Sequence, residues 1–436
     1  MTKAMAKIGI IGGGFSGIGC AYYLKDLAKD KKNEITILEN NDRVGGLASG
    51  IKNPAWEWPI DRVIHHWFMG EPYAVSIAKE IGMGDKLIFR TTKSSCYYKG
   101  KTAELDSAWS ALKFPFLSLA QRIRMGAVMA MLRIDKNYLR YENETAFSFI
   151  KRTMGKGVFE MMWEPLFVGK FGKHAPEVNA AWFWSRVHPR TKTLVYIEGG
   201  FQTYADRVAD VIRENNGKIF LNTSIKKIIK KGKCFEVYTD SKKFIFDILV
   251  LAVPLHFALK LFEFPYEYTK KYEQLKSIGA QYFVLELKKS FLSDGTYWLN
   301  VNDASFPFMM VAEHTNFVSK KHYDGHHMIW VGKYLDKTNP LWNMPEKKFL
   351  EIIIPYLRKI NPAFDKSWII DSFFTRFDNA QPVMPLGYSK KIPSVKTPID
   401  NLYLATMNHI YPSDRGTNYA LGLGYKIAQI IKKDLL

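Results

Sequence analysis

The residues Gly12-Gly13-Gly14-Phe15-Ser16-Gly17 constrain this chain more than any other stretch. They match Gly-x-Gly-x-x-Gly, follow the apolar run Lys7-Ile8-Gly9-Ile10-Ile11, and open a helical pattern over 17–29. A second run, Glu34-Ile35-Thr36-Ile37-Leu38-Glu39, completes a βαβ unit. In that context the glycines read as a phosphate cradle. Gly12 permits the tight turn, Gly14 lets the backbone approach a pyrophosphate, and Gly17 allows the helix to pack closely on the strand. The helix N-terminus adds free amides and a positive dipole end. Glu39 ends the second strand where a carboxylate accepts hydrogen bonds from a ribose 2′-hydroxyl, which favours an adenosine without a 2′-phosphate. Phe15, Ser16 and Asn40 are assigned to the same site.

This unit alone does not separate NAD from FAD, and the residues just after it do. Asn41-Asp42-Arg43-Val44-Gly45-Gly46-Leu47 sets an arginine fork, a glycine pair and Leu47 where the chain would pass a pyrophosphate and a flavin. With two later blocks, the chain resembles the large FAD-dependent family of flavin amine oxidases, protoporphyrinogen oxidase and phytoene desaturases, with UDP-galactopyranose mutase more distant. The second block is Gly199-Gly200-Phe201-Gln202-Thr203, then Ile219 to Ile225, then Asp247 to Pro254; the third is Leu402 to Thr406 followed by Arg415 to Ala420. The resemblance implies FAD, with no covalent linkage marked in the sequence, an adenine contact at the backbone of Ile225 and a turn at Ala252 closing over the cofactor. It also implies a helix N-terminus near Asn418 and Tyr419 that faces the flavin. The sequence departs from the family after Thr406, where Met407-Asn408-His409 replaces the expected glycine–acid pair.

The expected fold class is α/β, α+β overall: a Rossmann-type FAD-binding domain with an interleaved substrate domain of antiparallel sheet plus helices. Residues 1–70, 195–260 and 395–436 form the first domain, and 71–194 with 261–394 the second. A hairpin is expected at Cys96 to Thr102, helices over 105–165, 202–214, 345–360 and from Tyr419 to Lys432, and an antiparallel sheet over 280–335.

A flavin oxidoreductase holds a reacting bond over flavin N5 in a pocket that excludes water, and needs a route for a proton. Its candidate groups here are His65 and His66 after Ile60-Asp61-Arg62-Val63-Ile64, Glu313 and His314 in the sheet, and Arg415 beside Asp414. Alternation would put Glu313 and Thr315 on one face and His314 on the other. Each has a bland alternative: histidines bonded to backbone or cofactor, a solvent-exposed sheet edge, an Arg415–Asp414 pair. The expected reaction is hydride transfer between an organic, partly apolar substrate and flavin N5. The alternative is a redox-neutral flavoenzyme resembling UDP-galactopyranose mutase, acting on a nucleotide sugar.

The net charge of +20 raises the question of an anionic partner, but the lysines are scattered, as at Lys226, Lys227, Lys230, Lys231 and Lys233, where turns and a solvated surface are expected. No nucleic-acid-binding signature is present, and no metal site is expected. The three cysteines lack metal or disulfide spacing and point to a reducing cytoplasm. Lys3 and Lys7 precede an apolar run as in a signal peptide, but the glycines interrupt it, and no transmembrane segment is expected. A stripe from Trp109 to Ile134 carries Lys113, Arg122 and Arg124 among Phe114, Phe116, Leu117, Met125, Met129 and Met131. It reads as core, or as a surface lying on the inner face of a membrane to admit a lipid-linked substrate. The oligomeric state is left open.

Overall fold

Ile8 to Ile11 are buried, as a strand covered on both faces requires, and they belong to the strand Ala6–Ile11; the glycine turn leads into the helix Phe15–Lys29. A computed structural model describes residues 5–29 and 33–435; Lys3 and the first and last residues of the expected cofactor domain lie outside them. Five strands form a parallel sheet in the order Lys218–Phe220, Asn33–Leu38, Ala6–Ile11, Ile248–Leu251, Leu402–Leu404. Ile10 stands opposite Ile37 on one side and Val250 on the other. The terminal helix Thr417–Leu435 packs against Phe15–Lys29 so closely that a Cβ on Gly424 would lie 2.5 Å from the Cys20 nitrogen. An antiparallel trio, Ile225–Lys231, Cys234–Thr239 and Lys243–Phe246, flanks this sheet. Lys226, Lys227, Lys230 and Lys231 therefore lie on a strand rather than in turns, with Lys226, Lys227 and Lys231 exposed.

A second sheet has seven strands in the order Ile369–Pro382, Ser277–Leu287, His327–Leu335, Met310–Glu313, Thr296–Val301, Lys93–Tyr98, Lys101–Glu104. It is antiparallel except where Thr296–Val301 runs parallel to Lys93–Tyr98, so it is mixed rather than purely antiparallel as expected. The expected hairpin is present, with Lys99 and Gly100 both at positive φ in its turn. Helices Ala108–Leu112, Leu119–Ile134, Ala146–Met154, Glu164–Phe171 and Ala180–Val187 surround a separate core that fully buries Phe159, Phe167, Phe171 and Trp182. Among the described residues no helix is long and apolar enough to cross a membrane, and Cys20, Cys96 and Cys234 are free thiols.

Candidate active site

A cleft of about 730 Å³ opens at the C-terminal ends of the parallel strands, where the loops leaving Ile11, Leu38 and Leu251 meet. Gly12 has φ of +105°, and a Cβ there would lie 2.5 Å from the Ala252 carbonyl oxygen. Any side chain at this turn would collide with the neighbouring strand end. At Gly17 a Cβ would lie 1.9 Å from the Gly12 oxygen, so Gly17 sets helix packing and does not itself line the cleft. Gly14 differs from both: a Cβ would have no neighbour nearer than 3.9 Å, because that side of the backbone faces the open cleft. Gly45 and Gly46, at φ of +109° and +58°, bring their backbone against Gly14, with the Gly45 N–H donating to the Gly13 oxygen at 2.9 Å.

Glu39 is buried and its orientation is fixed by three donors: the Gly13 N–H at 2.6 Å to one oxygen, and the Asn41 N–H at 2.8 Å and amide at 2.6 Å to the other. Phe15, Ser16, Asn40, Leu47, Ile225 and Ala252 line the same cleft. Arg43 lines it too, but its fork is already engaged. Nε and one terminal nitrogen donate to Asp42 at 2.9 and 2.7 Å, and the other terminal nitrogen donates to the Gly50 oxygen at 3.1 Å. The sequence reading missed Arg62, which also lines the cleft and whose pKa is held below the usual arginine value by burial and by Arg43. Asn418 and Tyr419 do not reach the cleft. The Asn418 side-chain oxygen Oδ1 accepts from the Ala74 N–H at 3.0 Å, and Tyr419 lies against Glu71, while Gly416 and Thr417 take their place at the helix start. The offset arises because the helix begins at Thr417, so the free amides face the cleft one or two residues earlier than expected.

Of the reactive candidates, His65 and Arg415 line the cleft and the others do not. His65 Nδ1 lies 2.7 Å from the Val63 oxygen, so Nδ1 donates and Nε2 keeps its lone pair. Burial, with Arg415 nearby, pushes its pKa down to about 3. His66 sits behind it, with Nδ1 3.4 Å from the Tyr297 hydroxyl, and burial together with Arg190 also lowers its pKa to about 3. Both rings are therefore neutral near pH 7 in the protein as it stands. Glu313 is a buried tie: it accepts from the Leu292 N–H at 2.5 Å and meets His327 at 3.0 Å. His314 Nε2 contacts the Tyr323 hydroxyl at 2.8 Å, away from the cleft. The strand stops at Glu313 and a 3-10 turn begins at His314, so the expected alternation ends there. Asp414 pairs not with the Arg415 side chain but with Lys170 and Arg186, each at 2.6 Å; the Arg415 guanidinium reaches the Tyr334 hydroxyl instead.

The signature of the family described as flavin containing amine oxidoreductase matches residues 15–413. The chain belongs to that family. The coproporphyrinogen III oxidase of Bacillus subtilis (strain 168) is 20% identical over 278 residues, a stretch that is 55% of this chain and 58% of the relative. The match thus spans less than two thirds of that relative's length. An oxidoreductase from Methanosarcina mazei shares the fold with a TM-score of 0.75 at 15% identity, covering 98% of this chain and 100% of that one. Reduced UDP-galactopyranose mutase shares it with a TM-score of 0.76 at 14% identity, covering 98% and 94%. The cofactor of this amine oxidoreductase family member is FAD. The residues fit it: a carboxylate for a ribose, a glycine cradle open only at Gly14, and a helix N-terminus at the far end of one continuous cleft.

Proposed function

We propose that the protein is an FAD-dependent oxidoreductase that moves a hydride between an organic, partly apolar substrate and flavin N5. The observation that carries this reading is the single cleft running from Glu39, past Gly14, to His65, Arg415 and the start of the terminal helix. Glu39 holds the ribose hydroxyls, the amides after Gly12 hold the phosphates, and Gly416 with Thr417 presents backbone N–H groups at the other end. Bound there, FAD supplies a two-electron centre. His65, neutral and anchored through Nδ1, offers Nε2 as a hydrogen-bond acceptor to the substrate. Phe377 and Ile410 give the cleft apolar wall and help exclude water. On this reading residues 1–70, 195–260 and 395–436 form the cofactor domain, and 71–194 with 261–394 the substrate domain. The protein works in the cytoplasm, on a small or lipid-linked substrate, with the helix Leu119–Ile134 against the inner face of the membrane.

The test is the absorbance spectrum of the purified protein beside that of Gly14→Val. Wild type is expected to be yellow and to reoxidise in air after reduction with dithionite, within seconds for an oxidase and over minutes for a dehydrogenase. Because a side chain at Gly14 meets only the open cleft, the variant should fold and be colourless. A variant as yellow as wild type would place the cofactor elsewhere.

A further inference from the structure

Four cations from three segments meet around one carboxylate beside the cofactor cleft. Lys170 comes from the helix Glu164–Phe171, Arg186 from Ala180–Val187, Arg190 from just beyond that helix, and Arg415 from the loop before the terminal helix. Asp414 satisfies two of them, accepting from Lys170 and from Arg186 at 2.6 Å through the same oxygen. Its other oxygen accepts the Arg415 backbone N–H at 3.2 Å. Among the described residues neither the Arg190 nor the Arg415 guanidinium has a carboxylate within ion-pair distance, and Arg415 Nε is buried without a partner. The cluster therefore sets four basic side chains around a single carboxylate.

Aromatic faces line the same place. Lys170 lies 5.2 Å from the Trp182 ring centre and 5.3 Å from that of Tyr334, Arg415 lies 5.1 Å from Tyr334, and Arg190 lies 5.4 Å from Phe68. Such contacts stabilise a cation but do not neutralise it. Arg190 is the exposed member of the cluster, and the surrounding protein, with Arg186 beside it, brings its pKa down to about 9. Lys170 shows the same crowding, its pKa pulled down to about 7 by burial and by Arg186 and Arg415 against the pull of Asp414. Uncompensated buried cations destabilise a fold. A ligand bringing negative charge removes that cost, whereas a protonated amine would add to it.

We propose that this cluster binds a substrate carrying at least two negative charges, as carboxylates or as phosphate, with Arg190 and Arg415 as its direct partners and Asp414 holding Lys170 and Arg186 in place. The proposal rests on the oxidoreductase reading only in that Arg415, one member of the cluster, lines the flavin cleft. It assigns this member of an amine oxidoreductase family an acidic substrate in place of an amine.

Isothermal titration of the FAD-loaded protein with inorganic pyrophosphate, with citrate and with 1,4-diaminobutane tests it, and the flavin absorbance of the same sample tests the cofactor reading separately. Saturable binding of either anion is expected, weakened about tenfold or more by Arg190→Gln, as loss of one charge-assisted contact predicts. The Arg190 guanidinium makes no hydrogen bond to other described residues, so the variant should keep its fold, which a matching melting temperature would verify. Tighter binding of pyrophosphate assigns a phosphate ester, and tighter binding of citrate assigns a polycarboxylate. Binding of the diamine in preference to both anions, or anion binding unchanged in Arg190→Gln, overturns the proposal. A colourless sample that still binds anions through Arg190 would instead count against the cofactor reading alone.

Discussion

Asp61 and the buried histidines pull the stability of the protein in opposite directions as pH changes. Burial holds the Asp61 carboxyl protonated up to about pH 8, although the Tyr196 hydroxyl at 3.0 Å and the Phe201 N–H at 3.2 Å pull the other way. A folded pKa raised from 3.8 means that between pH 3.8 and 8 the folded state binds a proton that the unfolded state has lost, so stability from this group falls with rising pH. His66 and His314 have folded values near 3 against 6.5 unfolded, so below pH 6.5 the unfolded state binds the extra protons and stability falls as pH drops. Asp61→Asn should therefore gain in melting temperature on wild type as pH rises from 3.8 to 8; a difference between the two that stays constant over that range would reject the assignment. Legibility at this scale followed chain distance. Glu39 could be read from its place at a strand end, 22 residues after Gly17 in a recognisable unit. The Lys170–Asp414 pair could not, because its partners lie 244 residues apart and nothing local marks either one.

The helix Leu119–Ile134 shows why an apolar stripe does not declare its own role. Met125 and Leu132 on one face are buried in the helical core, whereas Leu119, Ile123 and Ile134 on the other are 59, 57 and 78% exposed, with Trp109 at 66% close by in sequence. Spacings of four and eleven residues place those three on one side of a helix. Exposed Lys113, Arg124 and Arg133 belong to the same stretch. Both readings of the stripe thus have residues behind them, and the outward face has the makeup of an interfacial helix. Vesicles containing anionic lipid should sediment the protein at low salt and release it at high salt. Ile123→Glu should weaken binding about tenfold or more, given roughly 1.5–3 kcal/mol for a buried aliphatic side chain. No sedimentation at low salt would remove the membrane from the proposed function. The strand Ile369–Pro382 escaped sequence reading for a related reason: most of its residues are half-buried or exposed, so its apolar positions do not alternate cleanly.

Over the whole molecule, what the sequence disclosed best was the set of cofactor blocks, because each joins a strand end to a turn that few residue types permit. The second sheet was less legible, since it recruits Lys93–Tyr98 from about 200 residues before its parallel neighbour Thr296–Val301. The parallel sheet is drawn from three distant regions, with Leu402–Leu404 at one edge beside Ile248–Leu251. A chain ended after Asp400 should accordingly be colourless with added FAD and should bind an apolar dye at the uncovered Ile248–Leu251 edge; flavin binding by such a chain would show that the last strand is dispensable. The same arrangement governs how the protein is made. Translation proceeds from the glycine turn to the terminal helix, so the nascent chain carries its phosphate cradle long before it has the strand and helix that complete the cleft. Until Leu402–Leu404 is made, the apolar strand Ile248–Leu251 lacks its partner on one side, and an unpaired apolar edge of that kind is where nascent chains are prone to associate.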